Sequence, residues 1–431
     1  MSSMEEIFQK YRKYLVTSSV KQIEPVVVAE GKGAIVKALD GKEYLDCFSG
    51  ISVANTGHCH EKVVNAIKEQ ASKLLHCCTY QYHVAPAAEL AEKLAQIVPE
   101  GLQKTFFSNS GAEAIECALK MGRKFTKKHE IIALMCSFHG RTLGTLSVTG
   151  QWERRRYDMG PYLGGVSFGP APYCYRCSLG QTYPGCGIRC AEMIEDIIEY
   201  ASSNNVAEFI AEPILGEGGI LVPPPEYFKA VKKILDRHGI IFIVDEVQTG
   251  FGRTGKMFAI EHYDVTPDII CLAKGIASGM PLGACTARVD IADSYEPGDH
   301  LSTFGGNPVS CAAGIATLEV MLEQDLPKQS RAKGEYVMKR LGELQAKEPL
   351  IGEVRGKGLM IGVELVEEPK NKTPAPAKAA RIKELMRARG VLIGAGGVKG
   401  NVLRIQPPLV IAEQQVETLI DRLTESVKAV K

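Results

Sequence analysis

A chain of 431 residues, 45% hydrophobic and 23% charged, carries enough apolar material for a sizeable core and reads as two domains, or one with a satellite. Fifty-one basic against fifty acidic residues leave a net charge of +1, so no overall field draws nucleic acid or an anionic membrane to it. Apolar runs such as residues 240–244 are far too short to cross a bilayer as a helix.

The polar opening Met1-Ser2-Ser3-Met4-Glu5-Glu6 has no signal-peptide apolar region. Thirteen cysteines, an odd number, then read as reduced thiols, and the expectation is a cytoplasmic enzyme or binding protein. Residues 1–60 contain the hairpin turn Asp40-Gly41-Lys42 and are expected to pack on the smaller domain. Over residues 61–325, strand-like runs at 105–107, 131–135, 208–211, 240–244 and 268–273 alternate with helical spacing, as in Phe228, Val231, Ile234 and Leu235. Strands apolar on both faces and separated by helices predict an α/β fold, a mostly parallel sheet with helices on both sides. Residues 326–431 read as a smaller α+β domain: strand 359–365, helix 378–389, strands 391–393 and 402–405, and a final helix. The Pro/Lys/Ala-rich stretch 368–380 reads as a surface loop.

Ligands of such sheets sit beyond the carboxyl ends of the strands, and three residue groups fall there. Ser110, in Ser108-Asn109-Ser110-Gly111-Ala112-Glu113, can cap a helix with Glu113 closing a capping box. The same turn offers backbone N–H groups and the helix dipole to a phosphate, although an ordinary capped helix serves equally well. Asp245 ends a wholly apolar run and needs a cationic partner: a metal, an arginine or a protonated ring nitrogen, unless it is a cap or structural salt bridge. Lys274, in Ala273-Lys274-Gly275, can be desolvated into a nucleophilic amine, where most lysines are solvated surface groups. Anion seat, carboxylate and amine match the phosphate, ring nitrogen and aldehyde of pyridoxal 5′-phosphate.

On these residues the chain resembles the class III (ω-amino acid) pyridoxal-phosphate-dependent aminotransferases over almost its whole length. The matching strings are Asn55-Thr56-Gly57-His58, Ser108 to Glu113, Phe138-His139-Gly140-Arg141-Thr142, Asp245-Glu246-Val247-Gln248-Thr249-Gly250-Phe251-Gly252-Arg253, Leu272-Ala273-Lys274-Gly275 and Thr303-Phe304-Gly305-Gly306-Asn307-Pro308. The resemblance implies an aspartate-aminotransferase-like fold and a cofactor that alternates with its pyridoxamine phosphate form. It implies that Lys274 bonds the cofactor and later moves the proton between substrate Cα and cofactor C4′, and that Asp245 pairs with the pyridinium nitrogen. Gln248 would bond the phenolic oxygen; Phe138 would stack on the ring beside His139, with Glu212 supporting that wall; Gly111 and Ala112 would give backbone donors to the phosphate. In this family Thr303 reaches the phosphate from a second subunit, which implies a homodimer or higher homo-oligomer with shared sites.

The same resemblance assigns substrate contacts. Arg141 and Arg404 would hold the carboxylates of amino donor and oxo-acid acceptor, guanidinium forks being suited to bidentate binding. Glu217, in Gly216-Glu217-Gly218-Gly219, would neutralise Arg404 when an ω-amine enters. Ile51 stands where decarboxylating relatives carry glutamine, and the segment from Gly50 to His58 looks most like 4-aminobutyrate aminotransferases. Acetylornithine, ornithine and β-alanine enzymes are close contenders, and an amino-acid racemase or epimerase of the same superfamily is the further alternative.

Cys174, Cys177, Cys186 and Cys190 depart from the family pattern. Their spacing could hold zinc or an iron–sulfur cluster, or leave four reduced thiols in a Gly/Pro/Tyr-rich excursion. Gly250-Phe251-Gly252-Arg253-Thr254-Gly255 satisfies the dinucleotide fingerprint literally, but it neither follows its strand at once nor begins a βαβ unit.

Overall fold

The computed structural model describes residues 3–17, 23–151, 153 and 157–430; Met1 and Ser2 of the opening segment lie outside them. Its centre is a seven-stranded sheet in the order Leu102–Ser108, Gly283–Arg288, Ile269–Leu272, Ile241–Asp245, Val206–Ala211, Glu130–Leu134, Val166–Gly169. Gly283–Arg288 is antiparallel to both neighbours, and the pairs from Ile269–Leu272 to Val166–Gly169 are parallel. The mostly parallel α/β architecture is therefore as the sequence suggested.

The period-two geometry of strands explains why these runs are continuously apolar. Phe242 and Val244 face one core with Phe228, Val231 and Leu235 of the helix Tyr227–His238. Ile241 and Ile243 face the other, with Ile115 and Leu119 of the helix Gly111–Thr126. The sequence signal failed at Gly283–Arg288, a strand of small residues: a Cβ at Gly283 would stand 2.3 Å from the Ser110 carbonyl, so close approach of the 110 turn sets its composition. Val166–Gly169 was also unanticipated.

Beyond residue 325 the helix Leu326–Gln345 leads into an antiparallel sheet, Ile351–Lys357, Met360–Glu368, Val402–Ile405 and Gly394–Gly396. The strand expected at 391–393 is only Val391–Leu392, and it pairs in parallel with Glu43–Asp46 of the N-terminal hairpin. Gly41, at φ +86°, makes that hairpin's turn. The loop expected at 368–380 is shortened, because Pro376 begins the helix Pro376–Ala388. The glycine fingerprint is a junction and opens no helix: fully buried Arg253 donates to the Leu359 carbonyl at 3.0 Å and to Asn55 Oδ1 at 2.6 Å. Among the described residues no helix is long and apolar enough to cross a membrane.

Candidate active site

Because the sheet's strand ends converge, their polar followers share one cavity of about 350 Å3, lined by Ser110, Gly111, Ala112, Phe138, His139, Glu212, Asp245, Gln248 and Lys274. The phosphate seat is the start of a 16-residue helix, where Ser110 Oγ accepts the Glu113 N–H at 3.2 Å. The capping box is half made: Glu113 instead accepts from Asn109 N at 2.9 Å and Asn109 Nδ2 at 2.8 Å, leaving the 110–112 turn to line the cavity. The positive end of the helix dipole lies there, suited to an anion. A Cβ at Gly111 would meet Val247 at 2.8 Å, so this turn packs closely only as glycine.

Asp245 Oδ1 accepts from Val247 N at 3.0 Å and Oδ2 from His139 Nδ1 at 2.7 Å, with both side chains almost wholly buried. His139 Nε2 is buried and has no partner among the described residues. An orphaned buried nitrogen beside a buried carboxylate leaves polar capacity that a protonated heterocycle and its surroundings would satisfy. Gln406 Nε2 donates to Gln248 Oε1 at 3.0 Å, so the donors remaining to Gln248 are its amide N–H groups. Glu212 ties two walls together, accepting from Phe138 N at 2.8 Å and Gly216 N at 2.9 Å. Burial pushes its carboxyl up to about 7, against the opposing pull of His139.

Lys274 follows the strand Ile269–Leu272 at φ +48°, a left-handed conformation unusual for lysine and one that active sites tolerate. Burial lowers its amine below the ordinary lysine range, although Glu217, Asp245 and Glu212 pull the other way. Phosphate seat, ring wall, carboxylate and amine thus fit pyridoxal phosphate.

Arg404 and Glu217 do not line the cavity, although the charges of both act on Lys274; Arg404 donates to Glu217 Oε1 at 2.5 Å and lies over the Phe48 ring at 5.2 Å. Arg141 is exposed, 5.3 Å from the Phe138 ring centre. Ile51 sits at φ +67° in a left-handed run from Ser49 to Ser52, with Asp46 Oδ1 accepting from Phe48 N and Ser49 N at 2.9 Å each. It is 38% exposed, and Val53 rather than Ile51 lines the cavity. No residue-type signal distinguished the two; only the turn geometry does. Met280 and Pro281 of the loop after Lys274 also line the cavity and were missed, although Gly279-Met280-Pro281 reads as a loop. Thr303 is exposed, its carbonyl accepting from Cys78 Sγ at 3.9 Å, and it does not line this cavity.

Cys174, Cys177, Cys186 and Cys190 surround a separate void of about 20 Å3. Burial, then the three neighbouring thiols, push the Cys190 thiol up to about 12. The zinc or iron–sulfur alternative gains no support: among the described residues no three Cys, His, Asp or Glu side chains are arranged to hold a metal ion. Polar side chains fasten the excursion instead, with Tyr173 and Arg176 both donating to Glu364.

Glu246, beside Asp245 but turned into the core, gives a pH prediction. Ile260 N donates to it at 2.7 Å, as does Thr249, yet burial pushes its carboxyl from 4.5 up to about 7. Between those values the folded state binds the extra proton, so this residue's contribution makes stability fall as pH rises from about 4.5 to about 7 and flatten above that range. Glu246→Gln is expected to remove that contribution, on the order of 3 kcal/mol, from the slope measured by urea denaturation at several pH values. An unchanged slope would refute the assignment.

A parallel sheet with an anion seat, a buried carboxylate and an amine at one edge defines the class of pyridoxal-phosphate enzymes. The family model "Aminotransferase class-III" matches residues 16–427. A leucine/methionine racemase of Thermococcus litoralis is 42% identical over 99% of this chain and 96% of its own. An acetylornithine aminotransferase of Methanopyrus kandleri is 41% identical over 94% and 95%, and a probable 4-aminobutyrate aminotransferase of Bacillus subtilis 35% over 98% and 97%. Among solved structures, an amine transaminase from an uncultivated Pseudomonas species, in its pyridoxal-phosphate-bound form, superposes with TM-score 0.90 at 32% identity, covering 97% of this chain and 99% of that one. The chain belongs to the class III aminotransferases and is a pyridoxal-phosphate-dependent aminotransferase.

Proposed function

We propose that the enzyme moves the amino group of an ω-amino acid, 4-aminobutyrate foremost, to 2-oxoglutarate, giving the semialdehyde and glutamate. The observation that carries this reading is the Arg404–Glu217 pair, its side chains only 6% and 15% exposed, whose charges both act on Lys274. Closed on itself the pair is neutral and accepts the uncharged end of an ω-amine; with Glu217 turned away, Arg404 is a fork for an α-carboxylate. Arg141, over Phe138, is the second carboxylate partner. When bound, pyridoxal phosphate supplies an electrophilic carbon and a ring that delocalises charge from the substrate. Within the chain, Lys274 is the amine that bonds the cofactor and carries the proton at substrate Cα, and Asp245 with His139 keeps the ring nitrogen protonated. The 110–112 turn holds the phosphate. A second copy of the chain completes the site with Thr303, in keeping with exposed Leu301 and Phe304 beside it and exposed Leu74 and Leu75.

Glu217→Ala is expected to weaken 4-aminobutyrate use about tenfold or more relative to glutamate use, the scale of one charge-assisted bond. Steady-state kcat/KM for both donors checks it, and equal losses would contradict gating.

A second reading is an amino-acid racemase. The likeness to a racemase, and the influence of the Glu217 charge on Lys274, favour it: Glu217 would be the acid/base opposing Lys274. Incubating one L-amino acid without oxo acid decides between them, since transamination requires the acceptor and racemisation does not.

A further inference from the structure

The loop that carries Glu217 is gripped from beneath by a second arginine. The strands Ile351–Lys357, Met360–Glu368 and Val402–Ile405 lie side by side, and their register places Arg355 opposite Gly362 and Gly362 opposite Arg404. Residues directly opposite in neighbouring strands share a face, so the two arginines flank one glycine on the side of residues 216–220. Glycine is needed there, because a Cβ at Gly362 would stand 3.1 Å from the Gly219 carbonyl. Arg404 takes the Glu217 side chain, whereas Arg355 takes the backbone: Nε donates to the Gly219 and Ile220 carbonyls at 3.0 Å each, and Nη2 to Gly219 O at 2.7 Å. Gly219 itself is at φ +116°, with space for a Cβ closed by Arg355 Nη2 at 3.2 Å.

Arg355 is in turn fixed from the cysteine-bearing excursion. Its Nη1 donates to Glu364 Oε2 at 2.6 Å, and to Glu353. Glu364 is fully buried and also accepts from Tyr173 and Arg176, which alternate in sequence with Cys174 and Cys177. The Tyr173 ring lies 5.1 Å from the Arg355 guanidinium. None of Arg355, Glu364 and Arg176 lines the cofactor cavity.

We propose that Arg355 is a positioning residue for substrate selection: it clamps the 219–220 backbone so that Glu217 rests on Arg404, and residues 173–176 brace it through Glu364. The proposal rests on the gating reading given above. A cysteine-bearing excursion outside the common family pattern thereby becomes part of the device that balances ω-amine against α-carboxylate substrates.

The test uses the holoenzyme and single-turnover absorbance changes with 4-aminobutyrate or L-glutamate, together with binding of glutarate as a dicarboxylate probe. Arg355→Lys keeps the charge but loses the fork that spans two carbonyls and a carboxylate. It is expected to raise the 4-aminobutyrate half-saturation concentration about tenfold relative to that of glutamate, the loss expected for a charged donor, and to tighten glutarate binding because Arg404 is more often uncovered. Tyr173→Phe, which leaves the fold's packing in place, is expected to shift the same ratio in the same direction by a smaller factor. In a Glu217→Ala background neither substitution should shift it further, a dependence that general loosening of the fold would not produce. If Glu217→Ala moves the ratio while Arg355→Lys and Tyr173→Phe do not, the proposal alone is overturned. If Glu217→Ala leaves the ratio unmoved, the gating reading falls and the proposal with it. Should Arg355→Lys fail to fold, an unchanged ratio in Tyr173→Phe overturns the proposal.

Discussion

Lys274→Ala is expected to abolish turnover, with a loss of at least ~10⁴-fold, because one side chain both bonds the cofactor and transfers the proton. Its position at φ +48° beyond the strand Ile269–Leu272 delivers the amine to the cavity that the 110–112 turn also lines, and among the described residues no other lysine lines it. The lowered affinity of the buried amine for its proton leaves more of it as the free base that attacks a carbonyl. The phosphate seat and Asp245 are untouched by the substitution, so the cofactor should remain, held without a covalent link. Assays with several amino donors, beside absorbance spectra of the same samples, provide the check. Activity within tenfold of wild type would rule out the assigned role.

Asp245→Asn is expected to lower kcat by about 10²–10³-fold, the scale at which a preorganised charge in a water-poor site contributes to catalysis. Asparagine keeps the volume and can still accept from Val247 N through Oδ1, while its Nδ2 donates to His139 Nδ1 once that ring nitrogen gives up its proton. What it loses is the negative charge that keeps a ring nitrogen protonated. Stability should therefore change far less than turnover. The comparison is kcat against the melting temperature of the holoenzyme. A loss of less than threefold in kcat, with the fold intact, would contradict the pairing.

The chemistry of this chain was more legible than its support. Asp245 and Lys274 each follow a continuously apolar run and Ser110 comes shortly after Thr105–Phe107, and that local pattern suffices to put them at one sheet edge. The runs at 208–211, 240–244 and 268–273 announced themselves because both faces of the sheet are buried there. Gly283–Arg288 did not, since its small residues answer to a neighbour 173 positions before Gly283, the Ser110 turn, and long-range closeness leaves no local period. The same holds for Val53 replacing Ile51 at the cavity wall: four consecutive left-handed residues turn the chain there, and non-glycine residues give no sign of such a turn. Spacing left two readings open at the cysteines. Two close pairs resemble a metal site in one dimension, but in three they ring a small void, while Tyr173 and Arg176 between them reach Glu364. Arg355 carried no signal of its own, because its role depends on a register shared by three strands.

Borohydride reduction of the purified protein, followed by digestion and mass spectrometry of the peptides, tests the central assignment most directly. The expected result is a single phosphopyridoxyl adduct on the peptide containing Lys274 and bleaching of the colour in proportion. A colourless protein, or an adduct confined to another lysine, would contradict the assignment of residue 274.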